Sequence, residues 1–523
     1  MRIFLALGAW AALTAAMVTA NAAPARHVII ISIDGLHQAD LLDPMLEDRW
    51  ANVLAVAHQG IWYNSASASV PSDSMPGTLA YLTGAGPATT GVYYDVAYTR
   101  TLLAPDGATT GTRILIDEAI DKDATRLDGG GNFGAASLDP AKLPRDPGRG
   151  AALVYPHDLL KVNTIFEVAH AAGLRTVMMD KHPAYEIAAG PSGNGVDDLY
   201  CPEIDAKAAL VDGKLLDVSA APAETKLKSI NKDADLAMAY DDLKIAALVR
   251  EIHGQDTNGR TGLGAPGLAA VNLQAVTIAE KIRKGGIDQV DGKQVVSKAV
   301  LRAIQHNDAD IAMVVSALKS AGIWDQTLLI VTAKHGQNPR IGEARLVKQS
   351  VITDALQKSG IALASQTLDD VALLWLADRS RTAQAADVLH ALATGSDNPG
   401  IADIYWGQSL RAAHLAGPDD RTPDIIVSLQ PGVLLTDSSA KRSDHGGFCD
   451  DDRHVPIILG GGAIDAPDRG SINPAPVQTT QIAVTALIAL GLNPAALQGA
   501  QQENTQALPN DGLESAVQAN YKP

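Results

Sequence analysis

The chain has 523 residues, 46% hydrophobic and 19% charged, so it is expected to fold around a sizeable core rather than stay disordered. Its net charge of -17 argues against a nonspecific nucleic-acid or anionic-membrane surface, though not against a locally positive pocket for an anionic substrate. The two cysteines, Cys201 and Cys449, make no zinc ribbon or redox motif. In an exported protein they either pair or remain free thiols.

Met1-Arg2, an apolar run from Ile3 to Val18 and the small-x-small site Ala20-Asn21-Ala22 read as a signal peptide over 1–22. The expected location is periplasmic or secreted. Nothing later approaches the ~20 apolar residues of a transmembrane helix, so no membrane span is expected after cleavage.

His27 to Ile33 is a short β-branched run that suits a buried parallel strand and ends in Asp34-Gly35. Ser72-Asp73-Ser74 then precedes Pro76-Gly77 and an apolar series, Met75, Leu79 and Leu82, at helical spacing. Ser74 therefore stands at a helix start, where free N–H groups favour an anion. The plainer alternative is that Ser72 or Ser74 only caps the helix.

Residues 101–156 read as an irregular Gly/Asp/Pro-rich insertion. Residues 160–173 predict a helix and 175–179 a strand ending in Asp180-Lys181-His182. That trio either lines a pocket or forms a loop salt bridge. Residues 185–300 predict an inserted, mostly helical cap.

Ile311, Val314, Val315 and Leu318 then mark an amphipathic helix from Asp310 to Gly322. Thr327 to Thr332 is a buried strand running into Lys334-His335. Residues 424–429 and 455–459 are further strands, with Asp444-His445 between them, and 477–491 is a last helix. The polar tail is 501–523. Alternating helices and strands predict an α/β fold, a mostly parallel doubly wound sheet with helices on both faces.

Asp34, Ser74, Lys334-His335 and Asp444-His445 all fall at expected strand ends or a helix start. Such oxygen and nitrogen donors suit zinc or a similar dication. With these pieces together, the chain resembles the alkaline phosphatase superfamily, in its type I phosphodiesterase/nucleotide pyrophosphatase branch. The resemblance is carried by Ile31-Ser32-Ile33-Asp34-Gly35-Leu36, Pro71-Ser72-Asp73-Ser74-Met75-Pro76, Leu82-Thr83-Gly84, Thr327 to Gly336, and His445-Gly446, in that order. It spans most of 26–495 and is weak in the two insertions, so one hydrolase domain is expected over 23–500.

The resemblance implies exported, metal-dependent hydrolysis of a small-molecule phosphodiester or pyrophosphate through a phosphorylated Ser74. It implies one metal on Asp34, Ser74 and His335, and a second partly on His445, with two ions clamping the entering and leaving oxygens. The pattern also departs from the family. Lys334 stands where the family has Asp. The family's Asp-x-x-x-His pair has no counterpart before helix 310–322; in Val271 to Glu280 only Glu280 is a good ligand. Asp95 stands near the position of a phosphate-binding Asn.

Three states stay open at this point. The site holds one metal, with Lys334 supplying catalytic charge; or two metals with substitute ligands such as Asp73, Glu280, Asp444 or Asp451; or none. Two rival functions stay open with them. Ser74-x-Pro76 fits a serine-type sulfatase signature, but Thr78 stands where that signature has Arg. An inactive scaffold that only binds is the other.

Overall fold

The computed structural model describes residues 25–396 and 398–510. The expected signal peptide and residues 511–523 lie outside the described residues. The main-sheet strands are β1 (His27–Ile33), β2 (Ile61–Ser67), β3 (Thr176–Met179), β4 (Asp198–Tyr200), β5 (Leu268–Leu273), β6 (Thr327–Thr332), β7 (His454–Gly460), β8 (Ser471–Asn473) and β9 (Val477–Gln478). Their order is β8-β2-β7-β6-β1-β5-β3-β4, with β9 beside β2. Every pairing is parallel except those of β7 with β6 and β2. The mostly parallel sheet expected from the sequence is present.

Its helices are α1 (Ala51–His58), α2 (Ser74–Thr83), α3 (Ile165–Ala171), α4 (Ala234–Ile252), α5 (Ala275–Lys281), α6 (Lys298–Ser320) and α7 (Gln481–Ala489). β1 divides them because successive side chains point to opposite faces. Val28 and Ile30 pack with Leu79 of α2, Phe166 of α3 and Leu487 of α7. Ile29, Ile31 and Ile33 pack with Val53 of α1, Leu248 of α4, Ile278 of α5 and Val314 of α6. Helices therefore cover both faces.

Three sequence expectations change. The stretch 185–300 is not simply a helical cap, because it contributes β5, a central strand beside β1. Helix α6 begins at Lys298 rather than Asp310, with the Ser297 hydroxyl accepting from the Val300 N–H. The strand at Ile425–Leu429 belongs to a separate four-stranded antiparallel sheet with Leu363–Leu368, Val371–Leu376 and Ile401–Trp406. That sheet has its own apolar core around Leu374, Leu389 and Val427. The cysteines do not pair: Cys201 and Cys449 are both free.

Helix α2 is buried along its whole length and crosses the end of β6 closely. A Cβ on Gly77 would lie 2.6 Å from the Lys334 carbonyl oxygen and 2.9 Å from its Cβ. Helix propensity alone favours alanine over glycine by ~1 kcal/mol. Overpacking a rigid backbone contact costs ~1–3 kcal/mol, so the clash should win. We expect Gly77→Ala to lower the midpoint of chemical denaturation; an unchanged or raised midpoint would show that α2 does not rest on Lys334.

Candidate active site

Four neighbouring parallel strands, β6-β1-β5-β3, end at one edge of the sheet. Their ends deliver Lys334-His335, Asp34, Asn272 to Gln274, and Asp180-Lys181 to one place. The backbone ties them: Gly35 N–H donates to His335 O, Asp34 N–H to Leu273 O, and Thr277 N–H to Asp34 O. This is the sheet edge at which open α/β folds bind ligands.

Ser74 is the first residue of α2, and the cap is Asp73, whose carboxylate accepts from Met75 N–H. The Ser72 hydroxyl donates to Gly447 O at 3.0 Å. Neither local role falls on Ser74, so its hydroxyl is free to face the strand ends. Its Oγ lies 2.9 Å from His335 Nε2 and receives a hydrogen bond from Lys181 Nζ at 2.8 Å. His335 Nδ1 is 2.7 Å from Gly336 O. A carbonyl only accepts, so Nδ1 carries the hydrogen. In the neutral ring, Nε2 then accepts from the Ser74 hydroxyl.

Asp34 sits behind this pair, fully buried. It accepts from Asn272 Nδ2 at 2.7 Å and Gln274 Nε2 at 2.6 Å. Its Oδ2 lies 3.6 Å from His335 Nε2 and 3.8 Å from Lys181 Nζ. Burial alone would raise its pKa, but the nearby Lys334, its contact with His335 and the Lys181 charge outweigh burial and hold it well below the usual range. Lys334 is also fully buried, with Nζ 2.8 Å from both Asp180 oxygens and 4.6 Å from the centre of the Tyr185 ring. Lys181 N–H donates to Asp180 Oδ1, so one carboxylate orients both lysines.

His445 packs its ring on His335, with centroids 3.8 Å apart. Burial, aided by His335 and the surrounding lysines, keeps His445 well below its ordinary pKa and therefore neutral. Its Nδ1 has no hydrogen-bond partner and lies 3.7 Å from Asp73 Oδ1. Burial and the Asp73 carboxylate push Asp95 well above the usual range, which favours its uncharged form.

Ser74, Asp34, His335, His445 and Lys334 are thus brought together, as the sequence suggested. Two other candidates are not. Asp444 bonds Lys281 at 3.0 Å and Lys441, so its charge is taken. Glu280 lies beside Gly35 and groups with His37 and Asp40. Lys181, from the Asp180-Lys181-His182 trio that the sequence leaves between a pocket and a loop salt bridge, lies two residues past the end of β3 and reaches Ser74.

The donors around Ser74 do not fit the two-metal arrangement the resemblance implies. The carboxylate and histidine pair that a second metal would need has no counterpart in Val271 to Glu280, and Asn272 at the end of β5 donates to Asp34 instead. Lys334 replaces a carboxylate, and the Lys181 ammonium already rests on Ser74 Oγ. A dication 4 Å from an ammonium is opposed by roughly 8 kcal/mol at an effective dielectric of 20. Three groups of His and carboxylate atoms close enough to share a cation occur among the described residues: His37-Asp40-Glu280, Glu118-His182-Asp205 and Asp242-His306-Asp310. None contains Asp34, His335 or His445.

Burial raises the Glu280 carboxyl from its ordinary 4.5 to about 8, against the pull of His37. Between those values the folded chain holds a proton that the unfolded chain has released. The contribution of Glu280 to stability is therefore fullest below pH 4.5 and falls as pH rises toward 8. Melting temperatures of Glu280→Gln should lose this part of the pH dependence. A wild-type curve that the substitution leaves parallel would contradict the assignment.

Comparison with known proteins agrees with this architecture. Murine ectonucleotide pyrophosphatase/phosphodiesterase 5, in an inactive form in complex with AMP, aligns with a TM-score of 0.55 and 13% identity over 95% of this chain and 100% of that one. The human protein of the same name aligns at 0.53 and 14% identity, with the same coverage. At these identities the likeness shows a shared fold. No curated protein sequence matches the chain. The family model for type I phosphodiesterase/nucleotide pyrophosphatase matches residues 28–448. The chain belongs to the type I phosphodiesterase/nucleotide pyrophosphatase family.

Proposed function

We propose that this protein hydrolyses a phosphodiester or pyrophosphate bond of a small molecule, with Ser74 as nucleophile. One observation carries the reading: a hydroxyl at a helix start is held between an accepting His335 Nε2 and a donating Lys181 Nζ. Family membership supports phosphoester hydrolysis as the reaction class. The AMP in the murine neighbour supports a nucleotide as one substrate to try.

On this reading the Ser74 proton passes to His335 Nε2 as Oγ bonds to phosphorus. The bond from phosphorus to the leaving oxygen breaks, and that oxygen departs with the electron pair. His335 passes the Ser74 proton to solvent; water then attacks the phosphoseryl phosphorus, giving one proton to His335 Nε2 as the bond from phosphorus to Oγ breaks, and His335 returns that proton to Ser74 Oγ. The Lys181 ammonium and the α2 start face the negative charge that grows at the reacting oxygens. A polar cleft of about 510 Å³ is lined by Tyr94, Asp95, Arg113, Gln349 and Gln366 among others, and the Asp95 N–H donates to Asp73, the residue before Ser74, so on this reading the cleft takes the rest of the substrate.

Export rests on the N-terminal pattern of Arg2, the apolar run and Ala20-Asn21-Ala22. Among the described residues no helix is long and apolar enough to cross a membrane. A binding-only role is the second reading, favoured by the lack of the implied Asp-x-x-x-His pair in Val271 to Glu280.

Turnover of bis-p-nitrophenyl phosphate by the purified protein separates the two. We expect turnover, with a loss of at least ~100-fold in Ser74→Ala and of ~10²–10⁴-fold in His335→Ala. Equal turnover by Ser74→Ala would remove Ser74 from the chemistry. No turnover of diesters, pyrophosphates or monoesters by wild type would favour the binding role.

A further inference from the structure

We propose that built-in ammonium groups take over the charge of the family's metal ions, so that the Ser74 site works without a bound metal. The inference rests on the reading of Ser74 as the residue that meets a phosphoryl group. Its starting point is a reversal of sign: Lys334 occupies the strand-end position where a carboxylate ligand is implied. Its ammonium is sealed from water and turns away to Asp180, 2.8 Å from both oxygens.

That pairing has a consequence for the next residue in the chain. Asp180 accepts from the Lys181 N–H at 2.8 Å, which fixes the turn after β3. The Lys181 side chain then reaches back to put Nζ 2.8 Å from Ser74 Oγ and 3.8 Å from Asp34 Oδ2. These are two of the three side chains that the resemblance assigns to the first metal. The ammonium thus bridges nucleophile and carboxylate as a cation ligated by both would.

The second metal is replaced differently. The carboxylate and histidine it would need have no counterpart in Val271 to Glu280, and at the end of β5 the Asn272 amide nitrogen donates to Asp34 Oδ1. The amide of Gln274 donates to the other oxygen. Both Asp34 oxygens are already supplied with donors, and a further ammonium, Lys281, comes in at Asp444, the residue before His445. Lys334, Lys181, Asn272 and Gln274 thus bring hydrogen-bond donors to strand ends where the resemblance implies metal ions. Ammonium and amide donors gathered around Ser74 and Asp34 suit an anion, here the phosphoryl group, better than a dication.

The test has a readout apart from turnover. Metal content of the full chain would be measured by plasma mass spectrometry, before and after dialysis against EDTA. Binding of inorganic phosphate would be followed by calorimetry. We expect far less than one zinc per chain and phosphate binding that EDTA leaves unchanged. Lys181→Met should weaken phosphate binding by ~10- to 100-fold, the worth of a charge-assisted hydrogen bond.

Lys181→Arg, which keeps the charge, should retain most of the affinity, so a misfolded site is told apart from a lost charge. A stoichiometric zinc removed by EDTA together with phosphate binding would overturn the proposal. So would Lys181→Met with unchanged phosphate affinity. Metal-free protein that binds phosphate through Lys181 yet cleaves no ester would uphold this inference while refuting the hydrolase reading.

Discussion

An ammonium taken fully out of water must find its counter-charge inside the protein. Lys334 has no exposed surface, and Asp180 is its partner. Removing one member of such a buried pair leaves an uncompensated charge at a cost of ~3–5 kcal/mol, although two apolar residues can often replace both at little loss. The pair is therefore weak evidence of stabilisation and stronger evidence of positioning. It locks the end of β3 against the end of β6 and, through the Asp180 carboxylate, aims Lys181.

The sheet makes this arrangement possible. β6, β1, β5 and β3 are consecutive and parallel, so the residues after all four strands meet at one edge. Ser74 arrives from α2, packed on the same sheet face as Val28 and Ile30. Gly77 lets that helix approach the Lys334 backbone closely. His445 arrives from the loop before β7 and stacks on His335. The site is thus assembled from rigid strand ends and one buried helix start, which suits chemistry that depends on geometry held in advance.

Much of this was legible in the sequence. Continuous β-branched runs marked β1 and β6, and the polar residues closing them pointed to Asp34 and His335. Helical spacing after Ser74 marked α2. β5 was hidden because Leu-Ala-Ala-Val-Asn-Leu is poor in β-branched residues; burial between β1 and β3, not propensity, makes it a strand. Glu280 and Asp444 have the right chemistry for a metal, but Glu280 is buried beside Gly35 in a different group, near His37 and Asp40, and Asp444 is paired with two lysines. Which loop side chain reaches Ser74 depends on the Lys334–Asp180 contact, which joins residues far apart in the chain and leaves no local trace. The separate sheet around Leu374 is not legible because Ile425–Leu429, buried at every residue, is the same kind of continuous apolar run as a main-sheet strand.

The most direct test of the account is acid-quenched turnover of bis-p-nitrophenyl phosphate, followed by peptide mass spectrometry. The account predicts a p-nitrophenyl phosphoryl adduct on the peptide containing Ser74, formed in protein freed of metal by EDTA. An adduct on another residue, or turnover that stops when metal is removed, would contradict it.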